Sequence, residues 1–411
     1  MSFVSVERLP DCEMAQRVAN LRRHAQRHIP QASGILVCAR LSIYHLCGSW
    51  ANGVLWVPMD PAQEPVLLCR KGRERSILDS PLAPERIVAF TSYGQLAGIV
   101  RDLGAPLVSP IGVEMNGLSW TLGELLRSRL AGIECVSADA ALSWSRTVKT
   151  SWELEKLTLA GQRHNAALTQ TLPQALQPGM TEHEIALAAW DAFYAHGHQG
   201  MMRMHNHGEE IFLGHVAAGD SGNYPSVFNG PLGLRGSHPV LPFMGYAGKI
   251  WHKHEPLALD CGFCLEGYHS DKTQIYWHSS AVIPDAARKA QDMCLHVHNF
   301  LAENLLPGAI PAELYQKGMD LVRKAGLEHG FMGLGGNKVG FLGHGIGLAI
   351  DEWPVIAPSF TTPLEENMVL AMEPKMGIDG LGMVGLEDTF VVTPAGGRCL
   401  TGSNFSPIIL A

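Results

Sequence analysis

The chain predicts an α/β (α+β) protein of two domains, on three observations. Helical and strand-like segments alternate from about residue 15 to 140, the texture changes near residue 145, and the second half holds two similar passages built around Pro-Gly. The length agrees, because 411 residues exceed one ordinary core and suggest roughly two or three domains.

Taken in order, "MAQRVANLRRHAQ" reads as a helix, "GILVCARL", "GVLWVPM", "EPVLLCR" and "RIVAFTS" as strands, "LSWTLGELLRSRL" as a helix and "IECVSAD" as a strand. "RTVKTSWELEKLTLAGQ" then opens a long amphipathic helix, with Thr150 as N-cap and Glu153 completing a capping box. The boundary falls there, giving domains 1–145 and 146–411. Further on, "QPGMTEHEIALAAWDAF" from Gln177 and "LPGAIPAELYQKGMDLV" from Leu306 each place an acidic helix start after Pro-Gly. Pro307 follows Pro178 by 129 residues, the trace an old internal duplication would leave. Two related α/β halves would then face each other around a cleft, where ligand sites form.

Composition narrows the function. The chain is 46% hydrophobic and 17% charged, with a net charge of −8, so a globular protein without a basic footprint is expected. That argues against nucleic acid and anionic membrane and for a small-molecule or peptide partner. The start "MSFVSVERLPDCEMAQ" lacks the pattern of a signal peptide, and no apolar run reaches membrane-spanning length. Nine scattered cysteines suit a reducing cytoplasm better than a disulfide framework. Cys261 and Cys264 form a C-x-x-C inside a strand-like run, which reads as packing rather than redox or zinc work.

The chemistry begins at "LALDCGFCLEGYHSDKTQIYW", residues 257–277, an apolar hairpin with an aspartate in each arm and a turn at Glu266 and Gly267. If the pairing is centred near Leu265 and Glu266, Asp260 and Asp271 stand opposite one another with Cβ atoms roughly 4.5–5.5 Å apart. Two carboxylates so placed away from water need a neutralising charge. Downstream, "FLGHGIGLAIDEWP" sets His344 between glycines, "MVLAMEPKM" ends a β-like run in Glu373, and "MVGLEDTFVVT" embeds Glu387 in another. Each residue alone reads as an ion-paired or hydrogen-bonded one; together they read as ligands. Two divalent cations would balance Asp260, Asp271, Glu373 and Glu387, and oxygen-rich ligation with one nitrogen suits Mn²⁺, Co²⁺, Fe²⁺ or Zn²⁺. Carboxylates that bridge could hold two ions about 3.5–4 Å apart.

These motifs resemble the pita-bread metallopeptidase family that includes creatinase, aminopeptidase P, prolidase and methionine aminopeptidase. Its aspartate, second aspartate in a G-Y-x-S-D-like context, H-G-x-G-L, E-P and E-D-T are matched by Asp260, Asp271 in "GYHSD", His344 in "HGIGL", Glu373 in "EP" and Glu387 in "EDT". "RTVKTSWELEKL" resembles the joint at which the family's catalytic domain begins, and the first 140 or so residues resemble a creatinase-type N-terminal α/β domain. The resemblance implies a C-terminal pita-bread domain with a pseudo-twofold β-sheet and flanking helices. It also implies a homodimer and hydrolysis of a peptide or amide C–N bond by a dinuclear centre whose ions activate water and polarise the carbonyl. Asp260, Asp271, His344, Glu373 and Glu387 would be the ligands, Glu373 would also handle the proton, and Asp388 and Thr389 would support them.

The pattern breaks where proline-specific members carry further histidines. Those positions read Phe243, Gly340 and Asp351, and the basic residue often found two before the last glutamate is Gly385. "SVFNGPLGLRGSHPVLPFMG" looks rearranged, which makes His238 a candidate for the role of Phe243's position. Asp351 would favour a cationic group such as a free amine, and His205 and His207 in "MRMHNHGEE" are candidate replacement donors or part of a polar loop. An aminopeptidase P- or prolidase-like hydrolase with altered specificity is therefore expected. The alternatives are a metal-dependent enzyme acting on a small non-peptide metabolite, resembling ectoine hydrolase or dimethylsulfoniopropionate lyase, and a silent binding protein.

Overall fold

The computed structural model describes residues 3–204 and 210–410. The backbone forms two compact units, Met1–Arg146 and Thr147–Ala411. In the first, six strands lie in the spatial order Ile87–Ala89, Val66–Lys71, Asn52–Pro58, Gly34–Val37, Ile111–Val113 and Cys135–Ser137. Side chains alternate across this sheet. Ile35, Val37, Leu55, Val57 and Leu67 enter one core with Val18, Leu21 and Ala25 of the helix Asp11–His28. Leu36, Val54, Trp56, Val66 and Leu68 enter another with Leu96, Val100 and Leu126 from helices on the other side. Both faces are covered, which explains why the strands read as continuous apolar runs.

The element order departs from the sequence reading in several places, among them the helices Arg73–Asp79, Leu96–Asp102 and Asp139–Ser145. "GILVCARL" stops being a strand at Val37, and Arg40–Cys47 is a helix; just before it, the Cys38 and Ala39 amides donate to the buried Glu114 carboxylate. The strand Ile111–Val113 was not anticipated, since three residues carry no alternation signal and its parallel neighbours define it.

The second unit repeats one plan. The helices Ser151–Ala166 and Glu182–Ala195 precede a four-stranded sheet ordered Ile408–Ile409, Tyr268–Trp277, Leu257–Leu265, Gly214–Ala218. The helices Asp285–Asn304 and Pro311–Lys324 precede a five-stranded sheet ordered Glu352–Val355, Gly343–Gly345, Val369–Met372, Asp388–Thr393, Gly396–Cys399. Between the helices of each pair lies Pro-Gly, with Gly179 at φ +98° and Gly308 at φ +91° turning the chain. Thr150 and Glu153 form the expected capping box, and Thr181 and Glu184 form a second. An isolated bridge joins Thr273 of the first sheet to Glu387, the residue before the strand Asp388–Thr393 of the second.

Under the first of these sheets, His164 packs 5.2 Å from Phe193 and 5.6 Å from Phe263, with His198 5.3 Å from Phe263 on the same cluster. Burial pushes His198 down to about 4 and His164 well below the ordinary histidine range. Unfolded, both rings would bind protons near pH 6.5. Between that value and the lowered folded one, the unfolded state holds more protons, so acidification removes stability. Thermal midpoints are expected to fall steadily from pH 7 toward pH 4.5. His198→Gln, which keeps an acceptor for the Cys264 amide, should make the fall shallower, reducing proton uptake on unfolding by up to about one. An unchanged slope would remove His198 from this account.

Candidate metal centre

The hairpin that carries the two aspartates is set one residue later than the sequence suggested. Glu266 at φ +50° and Gly267 at φ +82° are both left-handed and form the two-residue turn, so the pairing is centred between them. Asp260 therefore faces Thr273, and Asp271 faces Gly262. The carboxylates are diagonal neighbours on one face, about 7–8 Å apart at the backbone rather than directly opposed. The Cys261 and Cys264 side chains point to opposite faces because they lie three positions apart on one strand, and burial drives the Cys261 thiol well up and Cys264 to about 11.

The remaining members come from three separate segments, at or beside strands. His344 sits in Gly343–Gly345, where a Cβ on Gly343 would lie 2.3 Å from the Ala371 carbonyl oxygen and one on Gly345 2.2 Å from that of Trp353. Only glycines let the neighbouring strands close around the imidazole. Glu373 follows the strand Val369–Met372, and Glu387 stands at the Thr273 bridge. Ligand atoms of Asp271, His344 and Glu387 lie within 4.8 Å of one another, and so do those of Asp260, Glu373 and Glu387. Glu387 belongs to both groups. All five sequence-predicted acid and imidazole positions thus converge.

Hydrogen bonds hold this arrangement. The Thr273 hydroxyl lies 2.9 Å from Asp260 Oδ1 and 3.0 Å from Glu387 Oε2, donating to one at a time. Thr389 Oγ1 accepts from the Asp271 amide and donates to the Asp271 carbonyl, both at 2.9 Å, which pins the strand position of that ligand. On the far side of the hairpin, Lys272 Nζ donates to Asp388 Oδ1 at 2.6 Å, and Thr401 donates to the same oxygen at 2.8 Å. Asp388 therefore braces the strand from behind.

Two residues escaped the sequence reading. Lys375, fully buried, places Nζ 2.7 Å from Glu373 Oε2, 2.7 Å from Glu387 Oε2 and 3.2 Å from Asp260 Oδ2. The four acids thus already have one counter-charge, which corrects the sequence-based charge balance. Its one signal in the sequence is its place two residues after Glu373, where it opens the strand Lys375–Ile378. Burial alone would strip Lys375 of its proton, but Asp260, Glu373 and Glu387 hold its pKa well above the ordinary value. Burial also opposes charge on Asp260, yet Lys375 and then His215 bring that carboxyl below its usual range. Asp271 and Glu387 are driven well up, by burial first and then by the neighbouring carboxylates. His215 is the second omission: it pairs in register with Asp260, and its buried Nε2 has no hydrogen-bond partner.

The donor set of carboxylates with one imidazole suits a divalent ion of borderline softness, and the Asp271, His344, Glu387 group fits it directly. The candidate substrate positions are dispersed. Phe243 packs on the apolar core of the unit. His238 is exposed, its Nδ1 accepting the Val240 amide in a tight turn. Gly340 is exposed with open space around it, and Asp351 is half-buried beside Glu352. His205 and His207 lie outside the described residues.

Comparison with known proteins agrees with this geometry. The pattern of Metallopeptidase family M24 matches residues 155–394, and that of the Creatinase/Prolidase N-terminal domain matches residues 17–148. The Xaa-Pro dipeptidase of Pyrococcus furiosus is 23% identical over 89% of this chain and 92% of its own length. A probable dipeptidase PepE of Mycobacterium tuberculosis is 26% identical over 74% of this chain and 70% of its own. Among solved structures, dipeptidase PepE from Mycobacterium ulcerans superposes with a TM-score of 0.78 at 22% identity, covering 98% of this chain and 99% of that one. Aminopeptidase P from E. coli does so at 0.70 and 17% identity, covering 98% and 97%.

The brace behind the hairpin is testable. Asp388→Ala leaves the buried Lys272 ammonium without its carboxylate and should cost about 3–5 kcal/mol in denaturant unfolding. The paired change Lys272→Met with Asp388→Leu should recover most of that loss, because it buries no charge. A double variant no more stable than Asp388→Ala would show that packing, not the unpaired ammonium, sets the cost.

Proposed function

We propose that this chain, which belongs to Metallopeptidase family M24, is a metal-dependent hydrolase that cleaves the C–N bond of a small peptide or closely related amide. The observation that carries the reading is the convergence of Asp260, Asp271, His344, Glu373 and Glu387, with Glu387 shared between two ligand groups. A divalent ion held there would supply a Lewis acid for the scissile carbonyl and lower the pKa of water. The chain's own residues do the rest. Glu373 borders both groups, with Oε1 3.7 Å from His344 Nε2, and is placed to take a proton from the attacking water and return it to the leaving nitrogen. The strands that carry these side chains fix their directions, so the carboxylates are oriented before substrate arrives.

Substrate choice is where this chain departs from the proline-specific pattern. Phe243, Gly340 and Asp351 offer no imidazole to the substrate, and Asp351 brings a negative charge that suits a free amine. A small, amine-bearing peptide is the substrate these side chains favour. Among the described residues no helix is long and apolar enough to cross a membrane, and the nine cysteines are free. A reducing compartment such as the cytoplasm fits that cysteine chemistry.

The test is turnover of a panel of dipeptides, Xaa-Pro peptides and acylated diamines after loading with Mn²⁺, Co²⁺ or Zn²⁺. Peptide cleavage is expected, and Glu373→Gln should lower kcat by about 10²–10⁴-fold. Asp351→Asn should raise KM for amine-bearing substrates while leaving their N-acetylated analogues unchanged. Activity confined to non-peptide amides would move the substrate class, and metal retention without turnover of any compound would overturn the enzymatic reading.

A further inference from the structure

We propose that Lys375 is a built-in cation that takes the place of one of two divalent ions, leaving a single metal site on Asp271, His344 and Glu387. The inference rests on the metallohydrolase reading above and concerns how many ions the centre accepts.

Its basis is the occupancy of particular oxygens. Lys375 Nζ contacts one oxygen from each of Asp260, Glu373 and Glu387, which is the whole of one of the two ligand groups. An ammonium carries three protons and no acceptor, so these three contacts exhaust it. A second divalent ion would have to draw on the same three carboxylates and would meet an adjacent like charge in a buried site. The other group is different. Among the described residues no lysine or arginine forms an ion pair with Asp271, and His344 Nε2 stands 3.7–3.8 Å from Glu373 and Glu387, beyond a hydrogen bond. That spacing leaves room for an ion between donors. Charge alone does not choose the count, because one ion and two ions miss neutrality by equal amounts once Lys375 is included. The occupied oxygens do.

The lysine is also built into its position. Its side chain is fully buried, so leaving the acids would strand an ammonium without water. Its partner in strand register is Gly385, where a Cβ would lie 2.6 Å from Lys375 Cα and 3.2 Å from its Cβ. That close approach of Gly385 to Lys375 fixes the backbone from which the side chain enters the acids.

Metal counting tests this on the full-length chain. The protein is stripped with chelator, reloaded with excess Mn²⁺ and desalted. Manganese per chain is then measured by mass spectrometry, and the ion's electron paramagnetic resonance distinguishes an isolated centre from a spin-coupled pair. About one uncoupled ion is expected in the wild type, and about two coupled ions in Lys375→Gly, which frees the three oxygens. If that variant does not fold by circular dichroism, Lys375→Met is used, and the wild-type count still decides. Two coupled ions in the wild type would overturn the inference and leave the hydrolase reading standing. One ion in both wild type and variant would overturn the role of Lys375. No ion in any form would overturn both readings.

Discussion

A buried carboxylate is tolerated only where a positive charge or a donor meets it, and four of them share one pocket of the second unit. Asp260, Asp271, Glu373 and Glu387 would repel each other strongly in a medium of reduced dielectric. Everything around them acts on that repulsion. Thr273 serves two of the acids, Lys375 serves three, and among the described residues Asp271 has backbone order but no lysine or arginine paired with it. The electrostatic demand is thus unevenly met, and the side that remains unmet is the side that carries the imidazole.

The fold makes this concentration of charge possible by placing the ligands on strands that are otherwise apolar. The hairpin is buried on both faces, with Lys272 and Asp388 compensating each other behind it. Neighbouring strands bring His344, Glu373 and Glu387 within reach, and glycines beside His344 allow the backbones to close. Were the same acids on loops, side-chain rotation would let them separate and the repulsion would be relieved. Strand register denies them that escape, so a cation must be supplied instead.

Much of this was legible in the residues. The acids and histidine stood out because charged side chains in apolar β-like runs are uncommon, and the helix starts at Thr150 and Thr181 followed local capping chemistry. What could not be read was whatever depends on exact pairing. The hairpin centre moved by one residue because Glu266, not only Gly267, adopts a positive φ, and nothing in a glutamate announces that. The short strand Ile111–Val113 exists through its neighbours rather than its own pattern. Lys375 was passed over because a lysine after Glu-Pro reads as a strand leaving the core for water, whereas the hairpin with Gly382–Gly385 keeps it inside.

The Lys375 and Gly385 pair shows how such a pocket can change its cation without changing its acids. Residues in register on adjacent strands project to the same face, so a positive charge moved from one to the other stays within reach of the same carboxylates. Gly385 lets its strand approach Lys375 closely, since a Cβ there would lie 2.6 Å from Lys375 Cα. The two positions are not equivalent, however. From 375 the ammonium reaches back to Glu373 two residues away, and it bridges Glu373 and Glu387 at equal distances. A cation so placed ties together the acids of one ligand group, of which Glu387 also belongs to the other, and it does so permanently, whereas an ion exchanges with solvent. The consequence is a centre whose geometry is partly covalent in origin: one of its positive charges is encoded in the chain, and only the remainder is left to be bound.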